Sequence, residues 1–225
     1  ISTLTSSGSI TLTSRNFSSN NNNPLFYLQS GTLTCTDVTT VHPSGTNTAT
    51  ISLTTGAATG TLKLTGATPF TLDTDGTNSI TLNGSGATVE YSGTAQTVRN
   101  TSYTNLTLSG SGNKTMAAFA VSGKLSLQGT AAAITTAPSS IGTLEYKGSS
   151  SQTTTAIEWP SSGVTNVIID NSAGVTMGSG LSRTISGSLT LTSGTLTTAA
   201  NTLTYSGSSV SRTTGNIDSS NASGV

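Results

Sequence analysis

Charge is scarce in this chain of 225 residues. Only 7% are charged, eight basic against eight acidic, and the net charge is zero; ordinary soluble domains carry about 25%. The charges are dispersed, so no basic stripe exists to neutralise a phosphate backbone, and nucleic acid is excluded as a partner. Histidine occurs once, at His42, which leaves no histidine-based triad and no His-cluster metal centre. The one cysteine, Cys35, has no internal disulfide partner. Alternation from Leu33 places it inward as an inert thiol. No apolar run reaches the roughly 18 residues of a membrane-spanning helix, and no basic segment leads into an apolar one as a signal peptide does. The first residue is Ile1 rather than Met, which is expected of a processed chain or a fragment. A helical period is missing as well; residues 116–120 come nearest and are too short.

Ser, Thr and Gly fill the space that charge leaves. Polar low-complexity chains are often disordered. Disorder, however, goes with high net charge and scattered apolar residues, whereas this chain is neutral and its apolar residues are patterned. In residues 185–205, Leu189 and Leu191 fall on one side of an extended strand, and Thr190 and Thr192 on the other. Such a strand needs like strands beside it. The expectation is an ordered all-β array.

The array repeats. Residues 89–93 (VEYSG) recur as 144–148 (LEYKG) and as 203–207 (LTYSG). Residues 104–108 (TNLTL) match 165–169 (TNVII), and 121–127 (VSGKLSL) match 185–191 (ISGSLTL). The order is constant, so the unit is about 55–64 residues. Within it, apolar-x-apolar pairs end at Tyr91, Leu108, Leu127, Tyr146, Ile169 and Leu191, which predicts solenoid coils of about 17–23 residues. Looser pairs precede them: Ile10/Leu12, Ile51/Leu53, Leu62/Leu64, Phe70/Leu72 and Ile80/Leu82. Turn formers follow each pair. Residues 20–24 (NNNNP) read as a loop, and 42–45 and 158–160 as turns or corners. The fold expected is a parallel β-helix without significant helix, its coils stacked about 4.8 Å apart. A β-sandwich has similar strands but no reason to repeat one order every 60 or so residues. The chain divides into irregular coils over 1–86, two diverged super-repeats over 87–204, and over 205–225 the start of a third unit or an edge tail, all in one continuous solenoid.

The pattern YSG…QT…Y-x-N-L-T-L-S…V-x-G-x-L-x-L…G-x-L resembles repeat-rich surface proteins of environmental bacteria. These are similar to β-solenoid adhesins of the filamentous-haemagglutinin and autotransporter type. The resemblance covers residues 87–210 well and 1–86 poorly. It implies a right-handed parallel β-helix and an extracellular, cell-surface location, and it carries no catalytic residues.

Few residues invite chemistry. Glycoside hydrolysis needs two carboxylates about 5–9.5 Å apart across a cleft. Only Asp73 and Asp75 lie close in sequence, and they read more simply as a turn. With Asn78 they form a weak calcium candidate, without the distal Glu of an EF-hand. Thr11/Thr13, Thr32/Thr34 and Thr190/Thr192 suggest an ice-binding Thr array, which Ser126/Gln128, Glu145/Lys147 and Ile168/Asp170 interrupt. Lys147 beside Asp170 is expected to form a modest ion pair. Trp159, Tyr91, Tyr146 and Tyr205 could stack on sugars, but alternation puts these tyrosines on the Leu side, where core or corner packing is expected instead. The Asn-x-Ser/Thr sequons at Asn16, Asn83, Asn100, Asn105, Asn113 and Asn221 occur at about the number that chance gives in so Ser/Thr-rich a chain. No catalytic residue and no cofactor is expected.

Function is therefore sought at the ends. A β-helix exposes a strand edge at each, and such edges pair with other chains unless capped. No amphipathic capping helix precedes Ile10 or follows Tyr205. The expected function is a non-enzymatic subunit of an extracellular fibre. It would assemble head-to-tail by edge-strand pairing and core continuation. The joint residues would be Ile1, Leu4, Ile10 and Leu12 at one end, and Leu203, Tyr205, Val210, Ile217 and Val225 at the other. The alternative is a stalk or passenger segment of a larger adhesin, with surface glycans or neighbouring cells as partners and 17–26 as its one candidate receptor loop. A carbohydrate-active enzyme and an ice-binding protein rank below both.

Overall fold

A computed structural model describes residues 3–5, 8–13, 15–17, 20–22, 24–41, 48–53, 59–74, 77–129 and 134–219, with the backbone alone described for 3–5, 15–17 and 20–22. All regular structure among them is strand. Ten strands follow one another across the largest sheet: Thr3–Thr5 (β1), Thr32–Cys35 (β2), Thr61–Leu64 (β3), Thr88–Tyr91 (β4), Asn105–Leu108 (β5), Ala120–Gly129 (β6), Ile141–Gly148 (β7), Val164–Asp170 (β8), Ser188–Ser193 (β9) and Ser209–Arg212 (β10). Each pairs in parallel with the next. Parallel neighbours require a crossover, and here it carries further short strands rather than helices.

Alternation decides what the sheet buries. One inward file runs Leu33, Leu62, Val89, Leu106, Leu125, Leu144, Val167 and Leu189, and all eight are buried. A second file lies two residues on and runs from Cys35 and Leu64 through Tyr91, Leu108, Leu127 and Tyr146 to Ile169 and Leu191. These are the apolar-x-apolar pairs of the sequence. Stacking like on like gives each Leu, Ile or Val about 1.5–3 kcal/mol of burial. Cys35 is inward and buried, as its place after Leu33 predicts.

Between main strands the chain visits two other faces. Ile10–Thr13, Val38–Val41 and Phe70–Thr71 form one parallel sheet; Leu25–Tyr27, Thr48–Ser52 and Thr77–Thr81 form another. Farther on, Gln152–Thr153, Val175–Thr176, Thr195–Thr197 and Asn216–Asp218 make a third short ladder. This all-β arrangement of long parallel ladders is consistent with a β-solenoid.

Several readings of the first third change. Main-strand steps are 17–23 residues from Val89 to Val210, but 29 from Leu4 to Leu33, 29 from Leu33 to Leu62 and 27 from Leu62 to Val89. The longer steps carry separate strands on both side faces. Thus Ile10/Leu12, Ile51 and Ile80 are not successive rungs of one ladder, because they belong to the side sheets. Leu4, not Ile10, pairs on the main sheet. Residues 20–22, expected in a loop, pair antiparallel with 15–17 as a hairpin, where local pairing overrides the poor strand propensity of asparagine. The third Tyr motif also shifts. Leu203–Tyr205 pairs with Arg183–Ile185, while Val210 takes the ladder place beside Leu189. Residues 42–45 lie outside the described residues.

Candidate functional site

The last described rung is the least covered part of the apolar core. Val210 is 54% exposed, Ile217 44% and Tyr205 37%, although each continues a file of buried residues. With half-buried Leu203 they line a cavity of about 530 Å³. Covering these half-exposed side chains is worth about 1 kcal/mol each. Four of the C-terminal joint residues expected from sequence thus share one concave end. Val225 and Ile1 lie outside the described residues. At the other end, Ile10 and Leu12 are half-buried in a terminal strand of a side sheet, and Leu4 sits in the terminal strand of the main sheet.

Arg212 sets this rung apart. It follows Leu191 in the second inward file, where the preceding places hold uncharged residues. Its Nε donates to Gly215 O at 2.7 Å and its Nη2 to Asn216 Oδ1 at 2.9 Å. An inward charge on an edge strand discourages indiscriminate pairing.

Behind the end, polar side chains brace the corners between rungs. Gln96 Oε1 accepts from Gly93 N at 2.7 Å, and its Nε2 donates to Leu64 O and Gly66 O in the rung before. The next rung adds Lys114, fully buried, whose Nζ donates to Gly93 O, Thr94 O and Gln96 Oε1 at 2.7–2.9 Å. Burial lowers its pKa to about 8. The second unit repeats the device: Gln152 Oε1 accepts from Gly148 N and from Asn171 Nδ2, and Gln152 Nε2 reaches Leu127 O. A second corner uses Asn105, which links Ala87 O to Lys124 N, and Asn166, which links Gly142 O to Ser188 N. Gly123 and Gly187 permit this close approach, since a Cβ there would lie 2.7 and 2.3 Å from the asparagine Oδ1 atoms. Reading for active-site chemistry misses these residues. Their signal is the QT, TN and SG shared by the repeats.

Three of the four aromatic residues weighed as sugar platforms pack inside, and Tyr205 does not. Tyr91, Tyr146 and Trp159 are buried, and the Tyr146 and Trp159 rings sit 6.2 Å apart. Tyr146 OH donates to buried Glu158 at 3.1 Å, and Thr155 N and Oγ1 donate to the same carboxylate. Burial, reinforced by the Glu158 charge, pushes the Tyr146 phenol well above its usual range.

Lys147 and Asp170 pair at 2.8 Å across rungs, as do Lys63–Glu90 at 2.8 Å and Lys124–Glu145 at 3.0 Å. These charges and Ile168 interrupt the outer face of the main sheet. Thr11 and Thr13 lie on a side sheet, so they form no single array with Thr32/Thr34 and Thr190/Thr192. Of the calcium candidates, Asn78 Nδ2 donates to Asp73 O at 2.7 Å, and Asp75 lies outside the described residues. Among the described residues no group of three His, Cys, Asp or Glu could hold a metal ion, and no helix is long and apolar enough to cross a membrane.

Comparisons with protein-family models, with curated proteins and with solved structures find no match.

Proposed function

We propose that this chain is a non-enzymatic structural subunit of an extracellular surface fibre. Its rungs wind as a parallel β-helix, right-handed as the resemblance to solenoid adhesins implies. Subunits join head to tail by strand pairing and by continuation of the apolar files. The observation that carries this reading is the cluster of Tyr205, Val210 and Ile217, apolar and exposed at the end of otherwise buried files. Low charge leaves little repulsion against close approach. Head-to-tail contact along the stacking direction, where no rotation closes a ring, builds a filament. A fibre on the cell surface also agrees with the resemblance to solenoid adhesins.

One observation favours a second reading, a stalk or passenger segment of a larger adhesin. The main-sheet ladder runs with steps of 17–23 residues from Val89 to Val210, so more of the same chain would cover the same end.

The test is sedimentation and negative-stain electron microscopy over a dilution series, beside a Val210→Asp/Ile217→Asp variant. Both positions are exposed, so the variant is expected to fold. Rods that lengthen with concentration only in the native chain support head-to-tail assembly. Single short rods from the native chain at every concentration overturn it.

A further inference from the structure

Asn83–Gly84 is the one Asn-Gly pair in the chain. It lies between the strand Thr77–Thr81 and β4, in a corner rather than in a ladder. The Asn83 side chain is exposed, and among the described residues neither its carboxamide nor Gly84 N has a hydrogen-bond partner. The corner also grips the next rung. Thr104 Oγ1 donates to Asn83 O at 2.9 Å, and Asn105 N and Nδ2 donate to Ala87 O at 3.1 and 3.2 Å. Ala87 N closes the turn onto Gly84 O at 3.0 Å.

We propose that Asn83 is a site of spontaneous modification, at which the carboxamide is lost as ammonia and the main chain is rerouted through the side chain. Gly84 N, deprotonated by hydroxide, attacks Asn83 Cγ. The new N–C bond closes a succinimide ring, and the Cγ–Nδ2 bond breaks to release ammonia. Water then opens the ring at either carbonyl, leaving an aspartate at 83 or a β-aspartyl linkage to Gly84. Water is the only co-reactant. Both reacting groups belong to one residue pair, so proximity supplies much of what the step needs. Glycine favours it further, having no Cβ to block the approach and a freely adjustable backbone. Gly84 is itself covered, but ring closure swings only the exposed Asn83 side chain.

The fold withholds the same reaction from the asparagines that precede serine, another small residue. Asn78 sits in a paired strand with its Nδ2 on Asp73 O. Asn171 is fully buried, its Nδ2 held by Ser150 O and Gln152 Oε1 and its Oδ1 by Ala173 N. At Asn83 the consequence is structural as well as chemical. In the β-aspartyl form the carbonyl that Thr104 grips becomes a free carboxylate, and the chain runs through Cγ instead. The main chain is then longer between buried Leu82 and Ala87, whose carbonyl holds Asn105. Modification therefore loosens the hook between two rungs and places a negative charge on a chain whose net charge is zero.

Ageing the full chain at pH 8, native and in guanidinium chloride, tests the site by intact mass and by peptide mapping. Modification adds about 1 Da and gives an isoaspartyl peptide at residue 83. Because the corner leaves both groups free, the native rate at Asn83 should lie within about threefold of the denatured rate, whereas folding should slow Asn78 and Asn171 at least about tenfold. Gly84→Ala should slow the native reaction at least about tenfold, and Asn83→Gln should abolish the gain in mass at this position. In the aged native chain the Asn105 amide should exchange hydrogen faster than in fresh material. A fresh Asn83→Asp variant, which carries the charge on the original backbone, should keep that amide protected. A native rate at Asn83 more than about threefold below the denatured one, or a rate unchanged by Gly84→Ala, overturns the site. An aged chain whose Asn105 amide stays as protected as in fresh material overturns the loosening of the corner.

Discussion

Replacing Asn166 by alanine tests what holds one rung on the next. The change removes four hydrogen bonds: Nδ2 to Gly142 O at 3.0 Å and, weakly, to Thr143 Oγ1 at 3.4 Å, and to Oδ1 from Ser188 N at 2.8 Å and Ser188 Oγ at 2.9 Å. Gly187 lies against Oδ1 so closely that a Cβ would come within 2.3 Å, and water has little room to take the lost place. At about 0.5–1.5 kcal/mol per bond, with two main-chain groups left unpaired, the loss is about 2–4 kcal/mol. For a chain of this length each kcal/mol moves the Tm by about 2–4 °C, so the Tm should fall by roughly 5–15 °C. Asn166→Asp keeps the acceptor for Ser188 but sets an anionic oxygen against Gly142 O, and should recover less than half of the loss. Asn105→Ala gives an internal scale. It removes two longer bonds, 3.2 Å to Ala87 O and 3.1 Å from Lys124 N, and should cost about half as much. Thermal and urea unfolding measure all three variants, and hydrogen exchange at the Ser188 amide reports the corner directly. A Tm within about 2 °C of the native value for Asn166→Ala, or an aspartate as stable as asparagine, refutes the reasoning.

Gly187→Ala drives a Cβ against Asn166 Oδ1 and Thr165 O and should cost about 1–3 kcal/mol in urea unfolding; a neutral result means that the corner has room to relax. Burial lowers the Lys114 pKa to about 8 from 10.5, so between those values the unfolded chain binds more protons and this group makes stability rise with pH. Lys114→Met should remove that rise, read as the difference between native and variant urea midpoints at pH 7.5 and pH 9, and equal slopes would contradict it. Burial, with the Asp37 charge, pushes the Cys35 thiol up to about 11. At pH 8 iodoacetamide should therefore label Cys35 in urea and leave the native chain unmodified; rapid native labelling would show the second inward file to be open there.

What the sequence showed plainly was whatever a single strand can express. Leu125/Leu127, Leu144/Tyr146 and Val167/Ile169 alternate strictly, the steps between them are short, and one face is buried, so their stacking is legible from spacing. The same logic placed Cys35 inside and paired Lys147 with Asp170. It failed where the position of a pair along the rung mattered. Phe70 and Ile80 alternate just as Leu62 and Leu64 do, yet they belong to other faces, and periodicity carries no label for the face. Tyr205 misled for a related reason. Its motif matches Tyr91 and Tyr146, but the chain from Ile185 brings it round to the strand before the main one, where it pairs with Ile185. At the candidate site, Tyr205, Val210 and Ile217 were legible as apolar residues near an edge. Arg212 was not, because a lone arginine in a Ser-rich stretch reads as a surface residue until the register sets it beside Leu191.

The apolar files do not explain why the sequence repeats every third rung. A leucine stacks as well on the next rung as on the one after. The corners differ. The first rung of each unit offers a carbonyl, at Ala87 or Gly142, and a glutamine, Gln96 or Gln152. The second brings the asparagine that takes the carbonyl, Asn105 or Asn166, and the donor that meets the glutamine, Lys114 or Asn171. The third contributes Gly123 or Gly187, the residue that leaves room for the asparagine. Exchanging any rung for another would strand a buried polar group, so these corners specify order where the files supply stability. The rung of β10 departs from this code. Ile217 stands in the ladder of Gln152, and Arg212 in that of Tyr146. That rung thus presents an apolar place and a guanidinium, unlike the internal rungs that open the repeats.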